Sequence, residues 1–333
     1  MRFIHSADWH VGATWKALPL HYRFRQSVMI DNIYKIAAIK KVDTVLLTGD
    51  LFHKKEPNTK ERILVLSKLL KYDKKFNTII IEGNHDSVDV ETTNIHDLKL
   101  LYENHKFKRT IIVELENKII PFQDGAFIAM PCFNKTELKN MVAEIKGKYK
   151  WVVAMLHTTT IGCSDDKGWT ARDGWSMKNI PGITYYALGH IHRAQQLTLP
   201  NAFQCGSPMQ HNFGEALPKG VLLVDTEEPT KPKLIKVTAP RPLYVVHDNE
   251  EIPTDGYVKL ITNESLLGRD LPPNVIATGK NLDDIKILKY NGELQPTKGL
   301  GAFLAKEGLE DEEQKIGIDL VEDIVKELIY EYE

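Results

Sequence analysis

Five apolar runs in this chain stop on side chains that can hold a metal. "RFIHSADWH" ends with Asp8 and His10, "VDTVLLTGD" with Asp50, and "NTIIIEGNH" with Asn84 and His85. "KWVVAMLH" ends with His157, and "GITYYALGHIH" with His190 and His192. Short runs rich in β-branched residues and bounded by turn signals read as buried strands. Gly, Asn and Asp are also ordinary turn formers, so any one of these endings alone reads as a turn. The repetition constrains the fold, because α/β proteins hold ligands at the carboxyl ends of their strands.

Between the first runs lie segments with helical spacing. "HYRFRQSVMIDNIYKIAAIKK" carries Val28, Ile33, Ile36, Ala37 and Ile39, and "NTKERILVLSKLLKY" carries Ile63, Leu66 and Leu70 as its apolar stripe. "NIHDLKLLYEN" reads as a short third helix. Alternating strands and helices predict a sheet with parallel neighbours and helical crossovers. That arrangement brings the polar strand ends to one edge.

The second half is richer in strands. "TEEPTKPK" joins two strand-like runs of similar length and is read as a hairpin loop rather than a linker. A domain boundary is placed at "APRPLYVV". The organisation expected is a main domain over 1–240, a small α+β capping domain over 241–290, and a C-terminal segment over 291–333. That segment includes an acidic amphipathic helix with Ile316, Leu320, Ile324, Leu328 and Tyr332 on one face. Its apolar face packs on its own domain or docks a partner.

The 333 residues carry a formal net charge of -2, which excludes a polybasic nucleic-acid binder; local charge, metal or a partner must attract any anionic substrate. Three cysteines, far apart and without a CxxC, argue against a disulfide framework or a zinc ribbon and for a reducing cytoplasm. "MRFIHSADWH" reads as a strand rather than a signal peptide, and no apolar run reaches the ~18 residues of a membrane span.

The polar set is Asp8, His10, Asp50, Asn84, His157, His190 and His192, with His85 adjoining. Residues two apart on an extended chain face the same side, so Asp8 and His10, like His190 and His192, reach a common point. Mixed imidazole and carboxylate donors suit manganese, iron or zinc better than calcium or magnesium. Seven ligands exceed one tetrahedral ion and suit two ions sharing a carboxylate. Paired ions ~3.5–4 Å apart clamp the attacking and leaving oxygens in phosphatases and nucleases.

In this order the motifs resemble those of the calcineurin-like metallophosphoesterases: Asp8-x-His10, Gly49-Asp50, Gly83-Asn84-His85-Asp86, His157 and Gly189-His190-x-His192. "HSADWHVG", "LLTGDLFHKKEPN", "IEGNHD", "LGHIH" and "CGSPMQHNFGE" resemble most closely the SbcD-type nucleases, which work with a coiled-coil ATPase. The resemblance covers roughly residues 1–240 and implies a layered α/β/β/α sandwich.

The resemblance further implies that Asp8, His10, Asp50 and His192 hold one ion. Asp50, Asn84, His157 and His190 would hold the other, with Asp50 as bridge. His85 would protonate the leaving oxygen; histidine suits the task as a residue type, because a free imidazole titrates at ~6.5, near working pH. His53 would contact the phosphate and guide strand ends, or is a solvated loop histidine; Lys54 and Lys55 beside it are phosphate contacts or a solvated pair. Asp86 orients His85 or caps the turn.

The family implies two divalent ions, manganese first with magnesium or iron as substitutes. It also implies DNA as substrate, cut from duplex ends and endonucleolytically in single strands, in repair, recombination or replication. An SbcC-type coiled-coil ATPase partner and a homodimer formed through helices near the GNHD motif are expected, in the cytoplasm of a bacterial cell or a virus-infected host. The rival readings are a phosphoesterase acting on nucleotides or phosphoproteins and a non-catalytic scaffold subunit of the same complex.

Cys205 stands where the family more often has Tyr. Trp9 reads as packing. Trp169 and Trp175, in "DDKGWTARDGW", read as loop packing, with base stacking on an exposed ring as the alternative. His5, His21, His96, His105, His211 and His247 read as strand, helix or surface residues, His211 the least firmly placed.

Overall fold

Strand β1 (Arg2–Ser6) lies between β2 (Thr44–Thr48), its parallel neighbour, and β11 (Gly220–Asp225), its antiparallel one. In a computed structural model that describes residues 1–13, 22–104, 106–238, 240–247, 250–262, 272 and 274–279, this strand stands near the middle of a six-stranded sheet. Outward on one side follow β2, β3 (Asn77–Ile81) and β4 (Thr110–Val113), all parallel. On the other side follow β11 and β12 (Lys233–Lys236), antiparallel to each other; "TEEPTKPK" is their hairpin loop, as expected.

The second six-stranded sheet takes β5 (Lys118–Phe122), β6 (Gly125–Met130), β7 (Val152–His157) and β8 (Tyr185–Gly189) in order. It ends with β10 (Ala202–Gln204) and then β9 (Gln195–Gln196). β6, β7, β8 and β10 run parallel.

Period-two alternation separates the layers. From the first sheet Phe3, Leu46, Ile79 and Ile81 meet Phe127, Val153, Met155 and Tyr185 of the second in a core between the sheets. Ile4, Val45, Leu47 and Ile80 point the other way, into a core shared with helices α1 (Tyr22–Ile39), α2 (Thr59–Asp73) and α3 (His96–Glu103). Val152, Ala154 and Leu156 face outward from the second sheet onto α4 (Lys135–Glu144), with Leu138 and Val142. The layers are therefore α/β/β/α.

The stripe expected on α2 is corrected. Ile63 and Leu70 are 59% and 42% exposed and only Leu66 of the three packs partly against the core, whereas Val65 and Leu69 are buried, together with Glu61 and Asp73. Two acids on the inward face hid it from the apolar spacing, and both are satisfied. Glu61 closes a capping box with Asn58, accepting from the Asn58 N–H at 2.9 Å while Asn58 Oδ1 accepts from the Glu61 N–H at 3.0 Å. Asp73 accepts from the N–H groups of Lys108, Arg109 and Thr110, fixing the start of β4. On α1, Ile33 and Ala37 are buried as expected, but Ile39 is 64% exposed.

After the main sheets, β13 (Leu243–His247), β14 (Tyr257–Thr262) and β15 (Val275–Gly279) form a parallel three-stranded sheet. Leu243 and Tyr257 join the helix-side core. The described residues of the 241–290 stretch include no helix. The C-terminal segment with Ile316, Leu320, Ile324, Leu328 and Tyr332 lies outside the described residues, as do His21 and His105. No helix among the described residues is long and apolar enough to cross a membrane.

Candidate metal centre

The loops after β1 and β2 continue as a pair beyond the strands. The Asp8 N–H donates to Gly49 O at 3.1 Å, His10 N–H to Asp50 O at 3.0 Å and Val11 N–H to Leu51 O at 2.9 Å. To turn their side chains inward, Asp8, His10 and Asp50 adopt φ of 53°, 45° and 55°, and His190 adopts 104°. Left-handed backbone in non-glycine residues costs about 1–3 kcal/mol each and persists where surrounding structure enforces it. Gly49, at φ 89°, makes room: a Cβ there would lie 2.1 Å from His157 Nδ1.

These loops bring all seven predicted ligands together. Side-chain donor atoms of Asp8, His10 and His192 lie within 4.8 Å of one another, and so do those of Asp50, His157 and His190. Asp50 stands between the two groups. Its Oδ2, buried, faces His10 Nε2 at 3.5 Å and His157 Nε2 at 3.4 Å and accepts no hydrogen bond of good geometry. His10 Nε2 and His192 Nε2 face each other at 2.9 Å. Asn84 Oδ1 lies 2.9 Å from His157 Nε2 and 2.8 Å from His190 Nδ1.

An orphaned buried carboxylate oxygen ringed by imidazole nitrogens fits divalent cations. Nitrogen and oxygen donors without thiolate fit manganese, iron or zinc. Asp50 Oδ2 would gain the partner that the polypeptide does not offer.

The charge distribution follows burial and the two carboxylates. Burial lowers His10 well below an ordinary imidazole, and neighbouring imidazoles add to this. His190 is lowered to about 4 by burial and His157. Burial alone would lower His157 too, but the charges of Asp50 and Asp8 raise it to about 9. Asp8 is raised to about 6 by burial, against the pull of His192 and His157. Burial would raise Asp50, yet His157 brings it to about 2.

Behind the ligands lie partners that spacing did not announce. His157 Nδ1 contacts Thr48 O at 2.8 Å, and His192 Nδ1 contacts Glu215 Oε1 at 2.9 Å. Glu215 Oε2 in turn meets Lys219 Nζ at 3.0 Å. Burial would raise the Glu215 carboxyl, but His192, His211 and Lys219 hold it well below the usual range. His211 is a correction: it is no surface residue but stands beside His10 and His192, ring centroids 5.0 and 5.3 Å away. Its Nε2 reaches Asp8 O at 3.0 Å, and burial lowers it to about 3. The loop after β10 returns to the centre, a long-range contact that only "CGSPMQHNFGE" hinted at.

His85 lies at the rim. Its N–H donates to Asp50 Oδ1 at 2.9 Å, and its Nδ1 contacts His53 O at 2.6 Å. The His53 ring stacks on it with centroids 5.4 Å apart, and His10 lies 4.6 Å away edge-on. Burial and His85 lower the His53 pKa.

Asp86 does not touch the His85 side chain. Fully buried, it accepts from the N–H groups of Gly83 and Leu51 at 3.0 Å and Phe52 at 2.9 Å, tying the loop after β3 to that after β2. Burial and the Asp50 charge raise it to about 7, against those three donors. Its capping role is thus wider than the local turn.

The remaining aromatic and histidine residues sort by burial. Trp9 is buried and donates to Ser6 Oγ at 2.7 Å. His5 is a core residue between Tyr185 Oη and Thr48 Oγ1. His96 pairs with Glu114 at 2.6 Å. Trp175 packs against Phe133 and Tyr186, whereas Trp169 is 51% exposed. Cys205 is buried and contacts His5 O at 2.9 Å through Sγ.

A family model described as calcineurin-like phosphoesterase matches residues 1–194. Among curated proteins, the SbcD component of the nuclease SbcCD from Escherichia coli (strain K12) is 24% identical over 256 residues, covering 65% of this chain and 62% of that protein. Its namesake from Rhodobacter capsulatus is 23% identical over 292 residues, 73% of this chain and 71% of that one. "DNA double-strand break repair protein Mre11" of Sulfurisphaera tokodaii is 26% identical over 365 residues, 99% of this chain and 87% of that one. The matched segment thus spans 62% of the length of the first of these relatives.

Proposed function

We infer that this chain, which belongs to the calcineurin-like phosphoesterase family, is a two-metal DNA phosphodiesterase: an exonuclease on duplex ends and an endonuclease on single strands. The observation that carries this reading is Asp50 Oδ2, buried between His10 Nε2 and His157 Nε2 at the junction of two ligand groups. Relatives named as nucleases support DNA as the substrate.

In this reading Asp8, His10, Asp50 and His192 hold one ion, and Asp50, Asn84, His157 and His190 the other. When bound, the two ions, manganese first, supply Lewis-acid polarisation of a phosphodiester and an acidified water. The protein's own groups do the rest. His85 Nδ1–H donates to the His53 carbonyl, which fixes the ring and leaves Nε2 to carry a proton toward the leaving oxygen. His53, stacked on His85, would contact the phosphate. The left-handed backbone at Asp8, His10 and Asp50 holds the donors in place before substrate arrives.

DNA affinity beyond the site would come from a second copy of the chain and from a coiled-coil ATPase of the SbcC type, consistent with the net charge of -2. The exposed Ile63 and Leu70 of α2 and Leu100 of α3, 59%, 42% and 45% accessible, support a homodimer through these helices. The C-terminal segment 291–333 is the proposed ATPase dock, and the cytoplasm of a bacterial or virus-infected cell the proposed compartment.

The test is manganese-dependent release of nucleotides from a linear duplex, with and without the ATPase, against an unrelated small phosphodiester. Turnover of the small ester with none of DNA in either condition would instead support a phosphoesterase acting on small substrates.

A further inference from the structure

The segment after β7 leaves the centre, forms a closed loop and returns. Its base is laddered: Trp175 N–H donates to Thr159 O at 2.9 Å, and Ile161 N–H to Trp175 O at 3.1 Å. Its tip is a tight antiparallel turn. Ala171 N–H donates to Cys163 O at 2.8 Å, Asp165 N–H to Trp169 O at 3.0 Å, and Ser164 pairs with Thr170. Asp165 Oδ1 accepts from the N–H groups of Lys167 and Trp169, both at 2.9 Å. Compact loops of this kind, packed on themselves, are frequently functional.

Three separate contacts fasten this tip to the ligand cluster. Cys163 and Ala171 are buried against Ile191, the residue between His190 and His192. Asp166 Oδ2 meets Lys219 Nζ at 3.1 Å, and the same ammonium reaches Glu215 at 3.0 Å and His192 O at 2.7 Å. Gln195 grips Ser164 twice, accepting from its N–H at 2.9 Å and donating to its carbonyl at 2.7 Å. The tip is thus held in register with the turn that carries His190 and His192, although it supplies no ligand.

On this braced tip the large apolar group is turned outward. The Trp169 indole is 51% exposed, while Trp9, Trp151 and Trp175 are buried. It lines an open cavity of about 860 Å³ with Thr159, Thr170 and the exposed Arg172. Gly168 also lines the neighbouring cavity, whose wall includes His192 and Arg193. The loop's own hydrogen bonds and its ties to Ile191, Lys219 and Gln195 hold the indole in this outward position.

We propose that Trp169 is a stacking platform for an unpaired nucleobase of single-stranded nucleic acid, with Arg172 beside it for the adjoining phosphate, and that the 163–171 tip holds that base in fixed register with the metal centre. This deepens the nuclease reading and rests on it for the substrate class. Any base presents a π-face, so the platform is tolerant of sequence.

The experiment is binding of a fluorescently labelled oligothymidylate, followed by anisotropy, to the full-length protein and its W169F and W169A variants. An abasic oligonucleotide of equal length is the control, and thermal melting checks folding. W169A should weaken oligothymidylate binding about 5- to 150-fold, the range of one lost base stack. It should also abolish the protein's preference for oligothymidylate over the abasic strand, and W169F should retain most of both. Equal binding by wild type and W169A, or no preference for bases in the wild type, overturns the proposal. If the preference depends on Trp169 but the manganese-loaded wild type cleaves no strand, the platform stands and the nuclease reading falls.

Discussion

His192 is braced from behind by a carboxylate, His157 by a backbone carbonyl. Glu215 stands 2.9 Å from His192 Nδ1, and Thr48 O stands 2.8 Å from His157 Nδ1. The first brace belongs to a buried chain, Glu215 to Lys219 to Asp166, assembled from loops far apart in sequence. The second is the end of strand β2 itself. One half of the centre is therefore open to tuning by side-chain replacement away from the ions. In the other the brace is set by the sheet, and Asn84 is its exposed side chain.

The largest effect should come from the residue common to both halves. Asp50→Asn removes the charge that faces His10 and His157 together. Bound manganese, read by elemental analysis after gel filtration, should fall from two ions to fewer than one. DNA cleavage should fall by more than about 10³-fold, a barrier increase of about 4 kcal/mol or more. Retention of two ions would show that the halves do not share this carboxylate.

His85 sits on neither side of the comparison. His85→Ala should cut DNA cleavage about 10²- to 10⁴-fold, the usual weight of a general acid. Both manganese ions should remain, because the contacts its side chain makes are to His53 and His10, not to the carboxylates. Loss of metal would mean that it holds an ion.

Next comes the asymmetry itself. Glu215→Gln should weaken one of two manganese-binding steps about 10- to 100-fold, as removal of an outer partner of a ligating histidine does. The second step should be little changed. Asn84→Ala should weaken the other step instead. Calorimetric titration of both variants separates these outcomes; equal weakening of both steps by Glu215→Gln would erase the distinction between the halves.

The directly facing donors were legible in the sequence because each follows an apolar run; the structure gathers them from the strand ends of two facing sheets, β1–β3 of one and β7–β8 of the other, rather than along the edge of a single sheet. Asp8, His10, Asp50, Asn84, His157, His190 and His192 all come together as the motif order implied. The supporting residues were not legible, for different reasons. Glu215 and Lys219 follow no strand end; they reach His192 through a loop that returns from β10, and a return path has no local spacing. Thr48 acts through its backbone, which no side-chain pattern records. On α2 the apolar count chose Ile63, Leu66 and Leu70, of which only Leu66 packs against the core, because the true inward face includes Glu61 and Asp73, two acids that bind backbone N–H groups. Which face each strand residue takes was not read from the sequence, because these runs are apolar on both sides; the structure divides Ile4 from Phe3, and Ile80 from Ile79 and Ile81, between the two core layers.

The smallest effect belongs to Asp86, which touches no ligand side chain but joins the loop that carries Asn84 to the one that follows Asp50. Three N–H groups converge on its two oxygens, so Asp86→Asn must turn an amide N–H₂ against at least one of them. A buried donor left unpaired costs about 1–3 kcal/mol, which urea denaturation of the metal-free protein should register. If the half containing Asn84 depends on this tie and the half containing His192 on Glu215, the same variant should loosen the manganese step that Asn84→Ala affects and leave the Glu215-dependent step in place. A stability loss spread equally over both steps would mean that the loops move as one body, and that the difference between the halves ends at their immediate braces.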